Sequence, residues 1–167
     1  LYREDRCDGV IAVGGGSPMD CAKGIAIVSS NQDHILSYEG VDQVPLPSPP
    51  LLCLPTTSGS SADVSQFAII KDTDRKVKIA IVSKAVVPDA ALVDPVLTTT
   101  MGRELTINTG LDAMTQAIEA FVSNANAPLC DLLALEAIRL IAENLIPAAE
   151  QRSNLERRAS MTLGSLY

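Results

Sequence analysis

Short apolar runs, cut by glycine, proline and polar clusters, fill the first hundred positions. Beyond them the apolar residues recur at helical spacing. Residues 10–13, 51–54 and 91–93 read as short buried β-runs. Residues 18–30 read as a helix. The runs 67–70 and 77–82 flank the polar turn Lys71-Asp72-Thr73-Asp74-Arg75 and predict a β-hairpin. A proline-rich stretch over 44–50 is a stiff loop. Helix alternating with short apolar strands predicts an α/β layer with mostly parallel strands. From about Thr98 the prolines thin out. Leu111, Met114, Ile118 and Phe121 fall on one helix face, and Leu132, Leu135, Ile138 and Ile141 on the next. Asn126-Ala127-Pro128 separates the two helices, Pro147 ends or restarts the second, and a third covers 155–163. The pattern predicts a partial α/β domain over 1–100 and the start of an all-helical one over 101–167, with the change near 98–103.

Length and composition narrow the function. A chain of 167 residues with 47 % apolar content can bury a sizeable core. A net charge of −7 argues against nucleic acid and anionic membranes as partners. No run is long enough to span a bilayer, and no secretory leader is visible. Cys7, Cys21, Cys53 and Cys130 suit neither a zinc site nor a disulfide framework, so a reducing cytoplasm is the simplest setting. Cys21 and Cys53 read as small core residues. The chain opens in mid-pattern and ends on an apolar helix, as expected for part of a longer protein.

Three clusters could carry chemistry. In Gly14-Gly15-Gly16-Ser17-Pro18, three glycines allow positive φ and close backbone approach. Ser17 reads as the helix cap, Pro18 suits the first turn, and Asp20 stands three residues after the cap. A pyrophosphate fits the free N–H groups and partial positive charge of such a helix start. The plain alternative is a strand-to-helix turn with no ligand, since Met19 breaks the G-x-G-x-x-G pattern and Gly24 after Lys23 breaks Walker A. The hydroxyl-rich loop Thr56-Thr57-Ser58-Gly59-Ser60-Ser61 follows a strand, where open α/β sheets place ligands; a bare Ser/Thr turn is the other reading. Asp112 and Gln116 share a helix face at i and i+4, a spacing that suits two metal donors, with glutamine a poor partner in that role. Asp112 also reads as an aspartate stabilising its own helix dipole. His34 reads as a solvated loop residue.

Taken in order, these residues resemble the iron-containing (group III) alcohol dehydrogenases. Gly14-Gly15-Gly16-Ser17 with Asp20 and Ala22-Lys23 is similar to the family's GGGS-x-x-D-x-AK. Pro55-Thr56-Thr57 opens its PTT-x-G-T-G-S-E loop. Ala91-Leu92-Val93-Asp94-Pro95 resembles its strand ending in Asp-Pro, and Gly110 to Glu119 its G-x-D-A-x-T-H-A-x-E helix. Ser17, rather than the lysine of related glycerol dehydrogenases and dehydroquinate synthases, favours the alcohol dehydrogenase branch.

The resemblance implies a dehydroquinate synthase-like fold: a Rossmann-like α/β nucleotide-binding unit followed by a helical domain. It implies that Gly15, Gly16 and Ser17 hold the pyrophosphate of NAD or NADP and that Thr56 and Thr57 line the nucleotide. Ser60 stands at a family threonine, and Lys78 matches a lysine that approaches the ribose. Asp112 matches the first ligand of an iron (Fe2+) or zinc (Zn2+) ion, and Gln116 stands where the family has its first histidine ligand. Ser60-Ser61-Ala62-Asp63 replaces Thr-Gly-Ser-Glu. The family's other two histidine ligands and its first βαβ part would lie outside this chain. The implied reaction is metal-assisted hydride transfer between a small alcohol or aldehyde and the nicotinamide, in a homo-oligomer. Gln116 motivates a second expectation, a metal-free or non-catalytic nucleotide-binding homologue. A third is an inactive fragment whose apolar helices stay uncovered.

Overall fold

The computed structural model describes residues 1–2, 4–125 and 127–167. It divides into two compact units, Leu1–Pro55 with Ala62–Leu92 and Thr56–Ser61 with Val93–Tyr167.

The first unit is α/β. Strands β1 (Val10–Gly14), β3 (Leu51–Pro55) and β6 (Ala90–Ala91) form an all-parallel sheet in the order β1-β3-β6. The register runs from Val10 opposite Leu51 to Gly14 opposite Pro55, so β1 and β3 end together. The run expected at 91–93 is a strand only over its first residue. Leu92 N–H still reaches the Cys53 carbonyl at 2.8 Å, but the chain then leaves the sheet. The expected hairpin is present as β4 (Phe67–Asp72) and β5 (Val77–Val82), antiparallel, with β2 (Gly40–Val41) parallel to β5. This second sheet is therefore mixed. Asp72 sets its turn by accepting from the Asp74 and Arg75 N–H groups at 2.9 and 3.0 Å.

Helix α1 (Gly16–Ser30) serves both sheets. Met19 and Ala22 pack with Ala12, Leu51 and Cys53, while Ile27 packs with Ala68, Ile79 and Ile81. Burying a side chain such as Ile27 stabilises the fold by about 1.5–3 kcal/mol. Cys53 is buried as expected, but Cys21 is exposed. It sits on the α1 face opposite the stripe that carries Met19, Lys23 and Ile27, so it is no core residue.

The second unit holds three helices, α2 (Arg103–Phe121), α3 (Pro128–Glu150) and α4 (Leu155–Leu166). Asn126, of the expected break between α2 and α3, lies outside the described residues. One expectation fails here. Pro147 neither ends nor restarts α3, which runs on to Glu150. The lost backbone bond is offset by burial of the next turn, where Ala148 and Ala149 are enclosed. The α2 face that packs carries small residues: Gly110, Ala113 and Ala117 are buried, whereas Leu111, Ile118 and Phe121 are exposed and Met114 packs partly buried against the core. Small residues let helix backbones approach closely. A Cβ on Gly110 would stand 2.5 Å from Leu145 Cδ1, and one on Gly164 3.0 Å from Ile141 Cγ1. In α3 likewise, Ala134, Ala137 and Ile141 are buried, whereas Leu132 and Leu135 are not. The core is Ala113, Ile141, Leu145, Ala148 and Met161.

Candidate functional site

The glycine turn is set by backbone geometry. Gly14 closes β1 with φ of 153°, and a Cβ there would lie 2.7 and 2.8 Å from Cγ and Cβ of Pro18. Only glycine fits. Gly15 follows in extended conformation (φ −87°, ψ −163°) and is itself the N-cap, with no side-chain cap bond. Ser17 is thus inside the first turn and is not the cap expected from sequence. The reason is that Gly15 already takes the extended cap conformation, and its carbonyl accepts the first helical bond from Met19 N–H at 3.2 Å. Pro18 is then the third helical residue, where a missing N–H leaves no bond unmade. Asp20 lies beyond the first turn, so no capping box forms. The N–H groups of Gly15, Gly16 and Ser17 have no intrahelical acceptor. They concentrate partial positive charge at the carboxyl end of a parallel strand.

The hydroxyl loop follows Pro55, the β3 residue in register with Gly14. Its hydroxyls divide into two sets. Ser58 Oγ and Thr162 Oγ1 lie 2.8 Å apart and buried, and Ser61 Oγ donates a short hydrogen bond to the Ser165 carbonyl. Both therefore fasten the loop to α4. Gly59 is required by close approach, since a Cβ would meet Thr109 Cβ at 2.8 Å. Ser61 adopts φ of 47°, a left-handed conformation in which most L-residues are strained. The hydroxyls of Thr56, Thr57 and Ser60 form no hydrogen bond among the described residues, and Ser60 is exposed. Lys78 is exposed on β5, directly across from Lys71.

Behind the glycine turn lies a buried charged group. Lys23 is fully enclosed, and its Nζ donates to the Ser65 carbonyl at 2.8 Å, the Phe67 carbonyl at 2.8 Å and Ser65 Oγ at 3.2 Å. Burial pulls the Lys23 ammonium below the usual lysine range, partly opposed by the Asp20 charge. Burial pushes the carboxyls of Asp63 and Asp20 up, against the nearby Lys23 charge, and it raises the Cys53 thiol as well. Asp63 is 4 % exposed, and its Oδ2 has no hydrogen-bond partner. The motifs contain Asp20, Lys23 and Asp63 but do not report that they are buried together, although part of that signal is in the sequence. Met19, Lys23 and Ile27 are spaced by four, which places a lysine inside an otherwise apolar helix stripe.

Asp112 and Gln116 are brought together on α2, as their spacing predicts. Gln116 Nε2 donates to Asp112 Oδ2 at 3.0 Å, and both residues are exposed. The amide thus offers its N–H, not an oxygen, to the only charged donor of the pair. Among the described residues no group of three His, Cys, Asp or Glu side chains is arranged to hold a metal ion. These two residues alone do not fit an iron centre. His34 is exposed and caps a short helical turn, its Nδ1 accepting from Leu36 N–H at 3.4 Å.

A parallel sheet ending in a glycine turn and a hydroxyl loop, with a helical region after it, defines a Rossmann-like nucleotide-binding architecture. The chain belongs to the iron-containing alcohol dehydrogenases. Residues 1–95 match the iron-containing alcohol dehydrogenase family, and residues 106–167 match the C-terminal region of the Fe-containing alcohol dehydrogenase family. It is 40 % identical over 166 residues to the 1,3-propanediol dehydrogenase of Citrobacter freundii, an alignment covering 99 % of this chain and 43 % of that protein. The crystal structure of a 1,3-propanediol oxidoreductase superposes with a TM-score of 0.96 at 39 % identity, covering 99 % of this chain and 43 % of that one. A sulfoacetaldehyde reductase from Bifidobacterium kashiwanohense, solved in complex with NAD+, superposes with a TM-score of 0.90 at 34 % identity, covering 99 % and 44 %. The chain therefore spans less than half the length of the relatives it matches. Among the described residues no helix is long and apolar enough to cross a membrane.

Proposed function

We propose that this chain supplies the nucleotide-gripping part of an NAD(P)-dependent alcohol dehydrogenase acting on a small alcohol or aldehyde. The observation that carries the reading is the helix start at Gly15, Gly16 and Ser17, whose unused N–H groups stand at the end of β1. These three residues would hold the pyrophosphate of NAD or NADP. Thr56, Thr57 and Ser60 would offer hydroxyls to the nucleotide, and Lys78 a cation to the ribose. Gly14 keeps the turn tight, and the Ser58 and Ser61 bonds hold the loop in one conformation. When bound, the nicotinamide supplies the hydride chemistry, and the protein supplies position. Residues 1–100 would form the nucleotide region and residues 101–167 the beginning of the metal and substrate region. Asp112 and Gln116 would be this chain's contribution to the Fe2+ or Zn2+ site of a homo-oligomeric cytoplasmic enzyme. They do not complete that site, so no reaction step runs through them here.

The Gln116–Asp112 hydrogen bond favours a second reading, a nucleotide-binding homologue that holds no metal. Titrations of the chain with ADP and with adenosine test the first reading. A diphosphate cradle binds ADP and discriminates strongly against adenosine. Equal or absent binding of the two contradicts it. Metal analysis of the chain purified from iron- and zinc-supplemented medium bears on the second, which predicts less than stoichiometric metal.

A further inference from the structure

We infer that Asp20 and Lys23 are positioning residues that clamp the β4–β5 hairpin, and with it Lys78, against α1. The inference rests on the nucleotide-binding reading above, in which the start of α1 meets the pyrophosphate and Lys78 the ribose. Every residue it uses belongs to the α/β unit. β4 is the outer strand of its sheet, in the order β2-β5-β4. Just before β4, Gln66 turns its carbonyl toward the β5 side, where it accepts from the Ser83 N–H at 3.0 Å. By the alternation of an antiparallel ladder, Phe67 and Ile69 turn their main-chain groups the other way, to the open edge. Such an edge presents unpaired groups that another strand could use. Here α1 takes two of them. Lys23 Nζ donates to the Phe67 carbonyl at 2.8 Å, and the Asp20 carboxylate accepts from the Ile69 N–H. The two side chains are three apart on α1 and so lie on one face. One supplies donors and the other an acceptor, which matches the carbonyl and N–H of the edge. The other Lys23 bonds go to the Ser65 carbonyl and Oγ, so all three N–H groups of the ammonium hold the entry to β4. A buried cation is costly to retain as mere packing; this one has a use. β4 is paired to β5 from Phe67 opposite Val82 to Asp72 opposite Val77, which places Lys78 directly across from Lys71. The clamp therefore sets where Lys78 stands relative to Gly15, Gly16 and Ser17 at the start of the same helix.

The test compares wild type with Asp20→Ala, Asp20→Asn, Lys23→Met, Lys78→Ala and the double variant Asp20→Ala/Lys78→Ala, by amide hydrogen exchange and NADH titration. Asp20→Ala frees the Ile69 N–H, whose exchange should quicken by about tenfold, the scale of one net hydrogen bond. Asp20→Asn keeps an acceptor oxygen and should restore slow exchange. Lys23→Met should quicken exchange over 65–69 more strongly. NADH binding should weaken by about tenfold in Asp20→Ala and by up to about a hundredfold in Lys23→Met, the scale of a small misplacement of a binding group. Lys78→Ala separates positioning from a plain loss of stability. If the clamp acts through Lys78, removing Lys78 costs less affinity in the Asp20→Ala background than in wild type. Additive losses would overturn the proposal, and so would unchanged exchange at Ile69 in Asp20→Ala. Should Lys23→Met fail to fold, the Asp20 series decides alone, since that side chain is only half-buried. A wild-type chain that binds no NADH overturns the nucleotide reading and with it the Lys78 half of this one, while exchange at Ile69 still decides whether α1 clamps the edge.

Discussion

The glycine turn after β1 and the Asp112–Gln116 pair on α2 are both candidate binding elements, and they are built in different ways. The turn is over-determined: Gly14 has a backbone conformation that L side chains rarely adopt, and the Pro18 ring fills the space a Cβ would need. The groups it would offer a ligand are main-chain N–H groups, which exist as soon as strand and helix form. The pair on α2 is exposed, and its two side chains are joined by one hydrogen bond. A phosphate cradle is a local property of the backbone. A metal centre needs several side chains converging from separate elements. The chain spans 43 % of the length of the Citrobacter freundii relative.

The sharpest way to break this contrast is Gly14→Ala. The new methyl meets a rigid pyrrolidine ring rather than a flexible side chain, and the positive φ is strained besides. We expect a loss of roughly 2–4 kcal/mol in urea unfolding and no NADH binding. An unchanged urea midpoint would show that the turn tolerates a side chain. Gly110→Ala tests the helical unit by the same logic with softer neighbours. The methyl would meet Leu145 Cδ1 and Met161 Cε, the ends of side chains that can turn aside. About 1–3 kcal/mol should be lost, read as a lower Tm.

Asp63→Asn probes the buried charge behind the turn. Burial raises the Asp63 carboxyl in the folded state, so the native protein holds that proton more tightly than the unfolded chain. Stability then falls as pH rises from the ordinary carboxylate range, about 3.9, through the raised value. The variant lacks this fall. The difference in Tm between variant and wild type should therefore move in the variant's favour from acid toward neutral pH, and a constant difference would contradict it. Gln116→His is the mildest change. On an exposed helix face it should alter stability by less than about 0.5 kcal/mol. Zinc competition with a colorimetric chelator should show a gain in affinity, because an imidazole and a carboxylate at i and i+4 can share one ion. No gain would mean that the Asp112 carboxylate is not available as a ligand.

Much of the α/β unit is legible in the sequence, because its strands are short apolar runs bounded by glycine and proline. The helical unit is legible in its elements but not in its packing. Counting large apolar residues selects Leu111, Ile118 and Phe121, whereas the α2 surface that packs is made of Gly110, Ala113 and Ala117. Close approach, not side-chain size, decides that face, and a helical period cannot show it. At the candidate site, motif spacing singles out Gly15, Gly16, Ser17, Thr56 and Thr57 but misassigns the cap, which is Gly15. A glycine in extended conformation and a serine compete for the cap position, and the choice depends on where Gly14 ends the strand. The separate use of Ser58 and Ser61 depends on Thr162 and Ser165, about a hundred residues away. Nothing local reports it.

The most direct measurement is a calorimetric titration of the 167-residue chain with NADH, with and without added Fe2+ or Zn2+. A cradle made of main-chain N–H groups predicts saturable binding at one site, unchanged by metal. No binding, or binding only when metal is present, would contradict the proposal that the helix start at Gly15, Gly16 and Ser17 grips a nucleotide in this chain.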